Sequence, residues 1–229
     1  MNQQDKDIFL LACEILRPDL DTLRDQIAPN VRLHYLDQDL HRYPQRMAGI
    51  IQEAVDNHAG EADRVVLGYG LCSNGVVGVR THSQPLTIPR IHDCITLYLG
   101  SREAYECQFK NCPGTYYLTE SWIEHNKDPL GTMENDYEPK LGREMAEWGM
   151  RQEMTHQVRI ALVDSGVNGG VPECVRNRAV QNAEFFEKKY EELRGDPGFI
   201  KRLLLGPYDN EDDFITVPPG IELTQRMFF

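Results

Sequence analysis

Along the first hundred residues, short apolar runs alternate with stretches whose apolar residues recur at helical spacing. "DIFLLACEIL" (Asp7–Leu16) begins as an apolar run bounded by polar residues, the pattern of a buried strand. After Pro18, "LDTLRDQI" reads as a helix. "NVRLHYLD" (Asn30–Asp37) alternates apolar and polar residues and predicts a second strand. In "YPQRMAGIIQEAVDNHAG", Met47, Ile50, Ile51, Ala54 and Val55 recur at helical spacing and a terminal glycine supplies a stop. "DRVVLGYG" (Asp63–Gly70) predicts the third strand, and "VVGVRTHSQ" a short helix or turn. "PLTIPRIHDC" (Pro85–Cys94) carries the fourth strand, and "ITLYLGSREAYECQF" reads as a helix.

Strands alternating with helical crossovers predict an α/β fold with a Rossmann-like open, mainly parallel sheet and helices on both faces. The second half continues the pattern less clearly. "GTYYLTESW" (Gly114–Trp122) and "VRIALVDSG" (Val158–Gly166) predict strands. The polar stretch between them, rich in Glu, Lys, Met and Trp, predicts one or two surface helices forming a lid or a subunit contact. "VRNRAVQNAEFFEKKYEEL" reads as one amphipathic helix, and "GDPGFIKRLLLGPYDNEDDFITVPPG" closes the chain. Without a linker, repeat or low-complexity run, the expectation is a single domain over 1–229, with a helical insertion or lid at about 123–157.

Composition narrows the function classes. The chain has 229 residues, 41% hydrophobic and 26% charged, enough to bury a substantial core. Its net charge of −12, without clustered Lys and Arg, argues against a nucleic-acid partner. "MNQQDKDIFLLACEIL" has no basic n-region and its apolar run is broken by Glu14, so neither a signal peptide nor a membrane span is expected. The expected location is cytoplasmic. In such a reducing compartment the six cysteines point to core packing, metal ligation or redox chemistry, not to a disulfide framework.

The positions of three cysteines carry the chemistry. Cys13 lies at or just past the end of the first predicted strand, Cys72 just past the third, and Cys94 just past the fourth, two residues after His92. In a parallel sheet these strand ends share one edge, where open α/β sheets bind their ligands. Thiolate and imidazole are the donors zinc prefers, so the expected metal triad is Cys72, His92 and Cys94. Cys13 and Glu14 are candidates for a fourth ligand or a supporting role, and Asp93 for orienting the histidine. Glycines at 68, 70 and 75 would let the Cys72 loop approach closely.

Tyr69, Asn74, Arg90 and Thr119 adjoin this edge and are candidate substrate contacts; Arg90 would clamp a carboxylate or phosphate, or pair with a surface carboxylate. Other readings stay open. A free cysteine often simply packs, and Cys72 or Cys94 with His92 as base would make a nucleophile. "GYGLCSNG" departs from G-x-G-x-x-G and has no P-loop lysine, which disfavours a phosphate cradle. "CQFKNC" (Cys107 to Cys112) is a weak metal or redox spacing. Cys174 is expected near a helix start, and "GGVPE" is an anion-binding turn or an ordinary loop.

Four segments, "YGLCSNG", "IPRIHDCITLYLGS", "PGTYYLTESWIE" and the ending "GDPGFIKRLLLGPYDNEDDFITVPPG", resemble the DUF1638 family, a bacterial and archaeal domain of unknown function. The resemblance runs from "ACEIL" onwards and carries the family pattern onto Cys13, Cys72, His92, Asp93 and Cys94. The Cys107–Cys112 pair and the insertion around Met133–Met154 have no counterpart in it. Members are often encoded near corrinoid-dependent methyltransferase systems. The resemblance therefore implies a zinc-binding protein of corrinoid-linked methyl transfer or one-carbon metabolism, meeting corrinoid only through a partner. Expected partners are a small-molecule substrate or a corrinoid protein, with a homo-oligomer possible and no membrane contact. The alternatives are a non-catalytic metal carrier or docking protein, with 133–154 as the docking surface, and a cysteine-nucleophile transferase or hydrolase.

Overall fold

The structure is a computed structural model and describes residues 7–229; the reading of residues 1–6 as part of neither leader nor span lies outside them. The chain divides into two compact units, one running to residue 102 and resuming at 197, the other spanning 103–196.

The first unit opens with β1 (Ile8–Cys13), buried along its whole length as its apolar run requires. A single 3-10 turn leads into α1 (Arg17–Ile27), whose Pro18 sits in the first turn, where no helical N–H is needed. β2 (Arg32–Leu36) follows, then a 3-10 turn over Gln38–Arg42 and α2 (Pro44–His58), which buries Met47, Ile51, Ala54 and Val55. β3 (Arg64–Gly68) and β4 (Leu86–Pro89) are joined by turns. The helix expected from Ile95 onwards is two helices, α3 (Ile95–Leu99) and α4 (Arg102–Asn111), the second belonging from Glu103 onwards to the second unit. Gly100, at φ 89°, ends α3 in a left-handed cap.

The second unit carries β5 (Thr115–Leu118), α5 (Glu120–Glu124), α6 (Pro129–Thr132), a π turn over Met133–Tyr137, α7 (Glu138–Leu141) and α8 (Arg143–Glu153). β6 (Arg159–Asp164), α9 (Glu173–Phe185) and β7 (Lys189–Arg194) complete it. Its three strands form a parallel sheet in the order β5-β6-β7. The helices between β5 and β6 are more than surface: Met133, Ala146, Met150 and Met154 join Leu118, Ile160 and Leu162 in the core.

β7 departs from the sequence reading, which ran one helix through Leu193. The helix ends at Phe185, Glu187 turns the chain at φ 56°, and Lys188 N–H donates to the Ala183 carbonyl. Lys, Glu and Leu favour a helix in isolation, but pairing with β6 over six residues overrides that preference. The polar composition suits an edge strand, on which Lys189, Glu191, Glu192 and Arg194 are exposed.

The chain then returns to the first unit with α10 (Gly198–Leu205), burying Phe199, Ile200, Leu203 and Leu204, and with β8 (Phe214–Val217). The five-stranded sheet has the order β2-β1-β3-β4-β8; the first four strands are parallel and β8 runs antiparallel to β4. Both sheets and their helices make a Rossmann-like α/β architecture. β1 has β2 on one side and β3 on the other, so the chain leaves β1 in one direction and returns on the opposite flank. In open α/β sheets such a reversal, here beyond the C-terminal ends of β1 and β3, is the place where ligands bind.

Candidate functional site

Three strand ends deliver side chains to the reversal. β1 ends on Cys13, β3 runs through Gly68 into Tyr69, and the segment after β4 reaches Cys94. The loops after β3 and β4 are held together by backbone: Leu71 N–H donates to Ile91 O and Cys72 N–H to His92 O, both at 2.9 Å. Gly70 makes this contact possible, since a Cβ there would lie 2.8 Å from Asp93 N and 2.9 Å from its Cα. Cys72, Ser73 and Asn74 then take left-handed conformations in succession, at φ 46°, 56° and 68°. Such conformations cost on the order of 1–3 kcal/mol each for non-glycine residues and persist only where the surroundings impose them.

Cys13, Cys72 and Cys94 are all buried, with 1%, 8% and 9% of their surfaces exposed. Burial pushes the Cys13 thiol up to about 12, and the carboxylates of Glu14 and Asp37 push the same way. Burial likewise takes Cys72 up to about 12, with Cys13 and Asp93 adding to it. Cys94 is raised well above the ordinary thiol range by burial first, then by Cys13, Cys72 and Asp93. At neutral pH all three are thiols in a field of carboxylates, which is the opposite of what an activated cysteine nucleophile requires.

Tyr69 lies among them. It is 1% exposed, and its phenol is held far above its usual range by burial and by Cys13, Cys72, Cys94 and Asp37. Its hydroxyl has no hydrogen-bond partner among the described residues, and neither has Oε1 of buried Gln38. Each such orphan costs on the order of 1–3 kcal/mol, so the Tyr69 hydroxyl, coupled to the three thiols, marks a place where a partner is wanted. His41, on the same 3-10 turn as Gln38, brings Nδ1 to 4.0 Å from Cys13 Sγ. The same nitrogen is 3.0 Å from Gln38 O, and the ring stacks 6.4 Å from that of Tyr69.

The family described as "Protein of unknown function (DUF1638)" matches residues 35–204, most of the chain. The chain belongs to this family. No curated protein and no solved structure matches it. The DUF1638 match takes in Gln38, His41, Tyr69, Cys72 and Cys94 and begins after Cys13.

Other residues singled out in this DUF1638 sequence are placed differently. His92 is exposed, its ring 5.4 Å from that of Phe229. Asp93 Oδ1 accepts from Ile95 N–H at the start of α3, and Glu14 pairs with Arg17 at 3.0 Å. Asn74 is exposed on the left-handed turn. Arg90 is anchored by its own N–H to Asp213 O, while its Nε is buried without a partner. Thr119 belongs to the second unit, where its hydroxyl caps α5 by accepting from Trp122 N–H. All six cysteines are free, with Cys107 and Cys174 exposed and Cys112 partly so. Around "GGVPE", Asp164 and Ser165 accept from Gly166 and Val167 N–H, as in an ordinary loop.

Among the described residues, no three His, Cys, Asp or Glu side chains form a group that could hold a metal ion. None of the helices there is long and apolar enough to cross a membrane.

Sequence reasoning reached the three thiols but missed Gln38 and His41. The signal was available: both follow β2, whose C-terminal end lies on the same edge as those of β1 and β3.

Proposed function

We propose that this DUF1638 protein binds a thiophilic cation at the switch point of its five-stranded sheet, with zinc the metal whose preferences the donors meet. Cys13, Cys72 and Cys94 are the sulfur donors. The observation that carries this reading is the convergence of three buried thiols from three neighbouring strands among carboxylates that disfavour further negative charge. A cation inverts that electrostatic logic: it draws the protons off the thiols and is itself favoured by Glu14, Asp37 and Asp93. Thiolate sulfur is a donor zinc prefers, although the three side chains do not stand as a ligand group among the described residues, and His92 is exposed. Loading requires the thiols to deprotonate and turn onto a common centre.

Bound there, zinc would supply Lewis acidity that lowers the pKa of a thiol substrate. Together with the family's association with corrinoid-dependent methyltransferase systems, this favours a role in methyl transfer or one-carbon metabolism, with corrinoid brought only by a partner. The chain's own residues would exclude water around the sulfurs, while Tyr69 and Gln38 offer a hydroxyl and a carbonyl to an incoming molecule.

Elemental analysis of the anaerobically purified full chain tests the reading. Near-stoichiometric metal in the wild type, lost in Cys72→Ala and Cys94→Ala, is the expected result. A metal-free wild type ends it.

A further inference from the structure

We infer that the solvent face of α8 is an interface for a second copy of this chain, the two α8 helices packing antiparallel about a two-fold axis. The inference stands apart from the metal reading and uses none of its residues.

Helix α8 carries two apolar faces. Ala146 and Met150 are buried on one of them, and Met154, just past the helix end, joins them in the core of the second unit. On the other side Met145 is 52% exposed and Trp148 60%, and Leu141, at the end of α7, is 57% exposed. At about 100° per residue, Met145, Trp148 and exposed Gln152 fall on one line, on the far side of the helix from Ala146, Met150 and Met154. Their spacing of three and then four residues is that of the seam in a helix pair. One exposed apolar side chain is ordinary, but a Leu, a Met and a Trp so close together make a patch of the composition that interfaces bury.

The charges beside this stripe say what covers it. Glu144 and Arg151 stand two helical turns apart, so they lie on the same flank of the stripe, one towards each end of the helix. Glu144 is exposed and makes no ion pair among the described residues. Arg151 Nε donates to Glu147 at 2.9 Å, and its guanidinium lies 4.8 Å from the centre of the Phe185 ring. These contacts fix the arginine in place and leave it further N–H groups to donate. In a parallel pair this flank would meet the side of the partner helix that carries Gly149, which has no charge to offer. In an antiparallel pair like flanks meet, so Glu144 of each copy faces Arg151 of the other, twice over by symmetry. The stripe therefore complements itself, and its small extent makes the dimer a transient one.

Sedimentation velocity of the full chain from about 5 to about 500 μM tests this, a range that brackets transient association. Reducing conditions keep the exposed Cys107 and Cys174 from cross-linking copies. A reversible equilibrium between monomer and dimer is expected. Trp148→Glu should weaken it at least about tenfold, since it puts a charge at the centre of the seam. Glu144→Arg sets cation against cation at both ends and should weaken it at least about fivefold. The double change Glu144→Arg with Arg151→Glu restores opposite charges and should recover most of what Glu144→Arg loses. Far-UV circular dichroism confirms that each variant is folded. A chain that stays monomeric throughout, a dimer that folded Trp148→Glu leaves intact, or a folded double variant no tighter than Glu144→Arg overturns the proposal. None of these outcomes touches the metal reading, which elemental analysis decides separately.

Discussion

The two sheets of this protein are built from the same parallel strand and crossover grammar, yet they treat sulfur in opposite ways. In the second unit the strands run β5-β6-β7 in sequence order, each added beside the last, so the winding never reverses. Its cysteines, Cys107, Cys112 and Cys174, are exposed or half exposed. The buried Arg159 of β6 is fully occupied with Thr115, Gln108 and Glu191. In the first unit the order β2-β1-β3-β4 does reverse, and the three cysteines at its strand ends are buried around Tyr69, whose hydroxyl has no partner among the described residues. A reversal in strand order, more than the presence of a parallel sheet, is what separates the edge that gathers buried thiols from the one that does not.

Substitutions can break this comparison, and the largest effect is expected at Gly70. Gly70→Ala places a methyl against the Asp93 backbone, which cannot yield as a side-chain tip could. It should cost about 2–3 kcal/mol in chemical denaturation. A loss under 0.5 kcal/mol would show that the loops after β3 and β4 are not locked together.

Alkaline pH should give the next largest effect, in the metal-free chain. Cys13 is raised from an ordinary 9.0 to about 12. Between those values the unfolded chain releases a proton that the folded chain retains, so stability present below pH 9 is lost as pH rises. The slope from this one group is about 1.4 kcal/mol per pH unit across that window. Unfolding free energies measured from pH 8 to 10.5 should therefore fall less steeply in Cys13→Ala than in wild type. Equal slopes in the two would mean that Cys13 is not desolvated.

The smallest effect belongs to the second unit. Gly149 lies inside α8 with nothing within 4 Å of where a Cβ would stand. Gly149→Ala should raise stability by about 0.5–1 kcal/mol through helix propensity alone. Destabilisation instead would reveal a contact on that face.

Much of this arrangement was legible in the residues. Cys13, Cys72 and Cys94 each follow an apolar run that only a buried strand satisfies, so their shared edge followed from local pattern. Gln38 and His41 escaped because β2 is half buried and the segment after it is polar, with no cysteine to draw attention. β7 was hidden by helix-forming residues, and β8 by its place in an irregular tail; both exist because a distant strand pairs with them. His92 shows a further gap. Spacing from a strand end places its backbone correctly, but it does not say which way the ring turns.

Cys72, Ser73 and Asn74 have a stereochemical consequence. Three successive residues at positive φ trace a short piece of backbone in the hand natural to D-amino acids, written here in L residues. One hydrogen bond closes the segment "CSNG" on itself, from Gly75 N–H to Cys72 O at 3.0 Å, but that bond alone does not offset three left-handed residues. The segment borrows its shape from the carbonyls of Ile91 and His92 that hold Leu71 and Cys72, and from Met47 packed beneath Gly75. Transplanted as a cassette into another loop, the same four letters would relax into an ordinary right-handed turn, and the sulfur would point somewhere else.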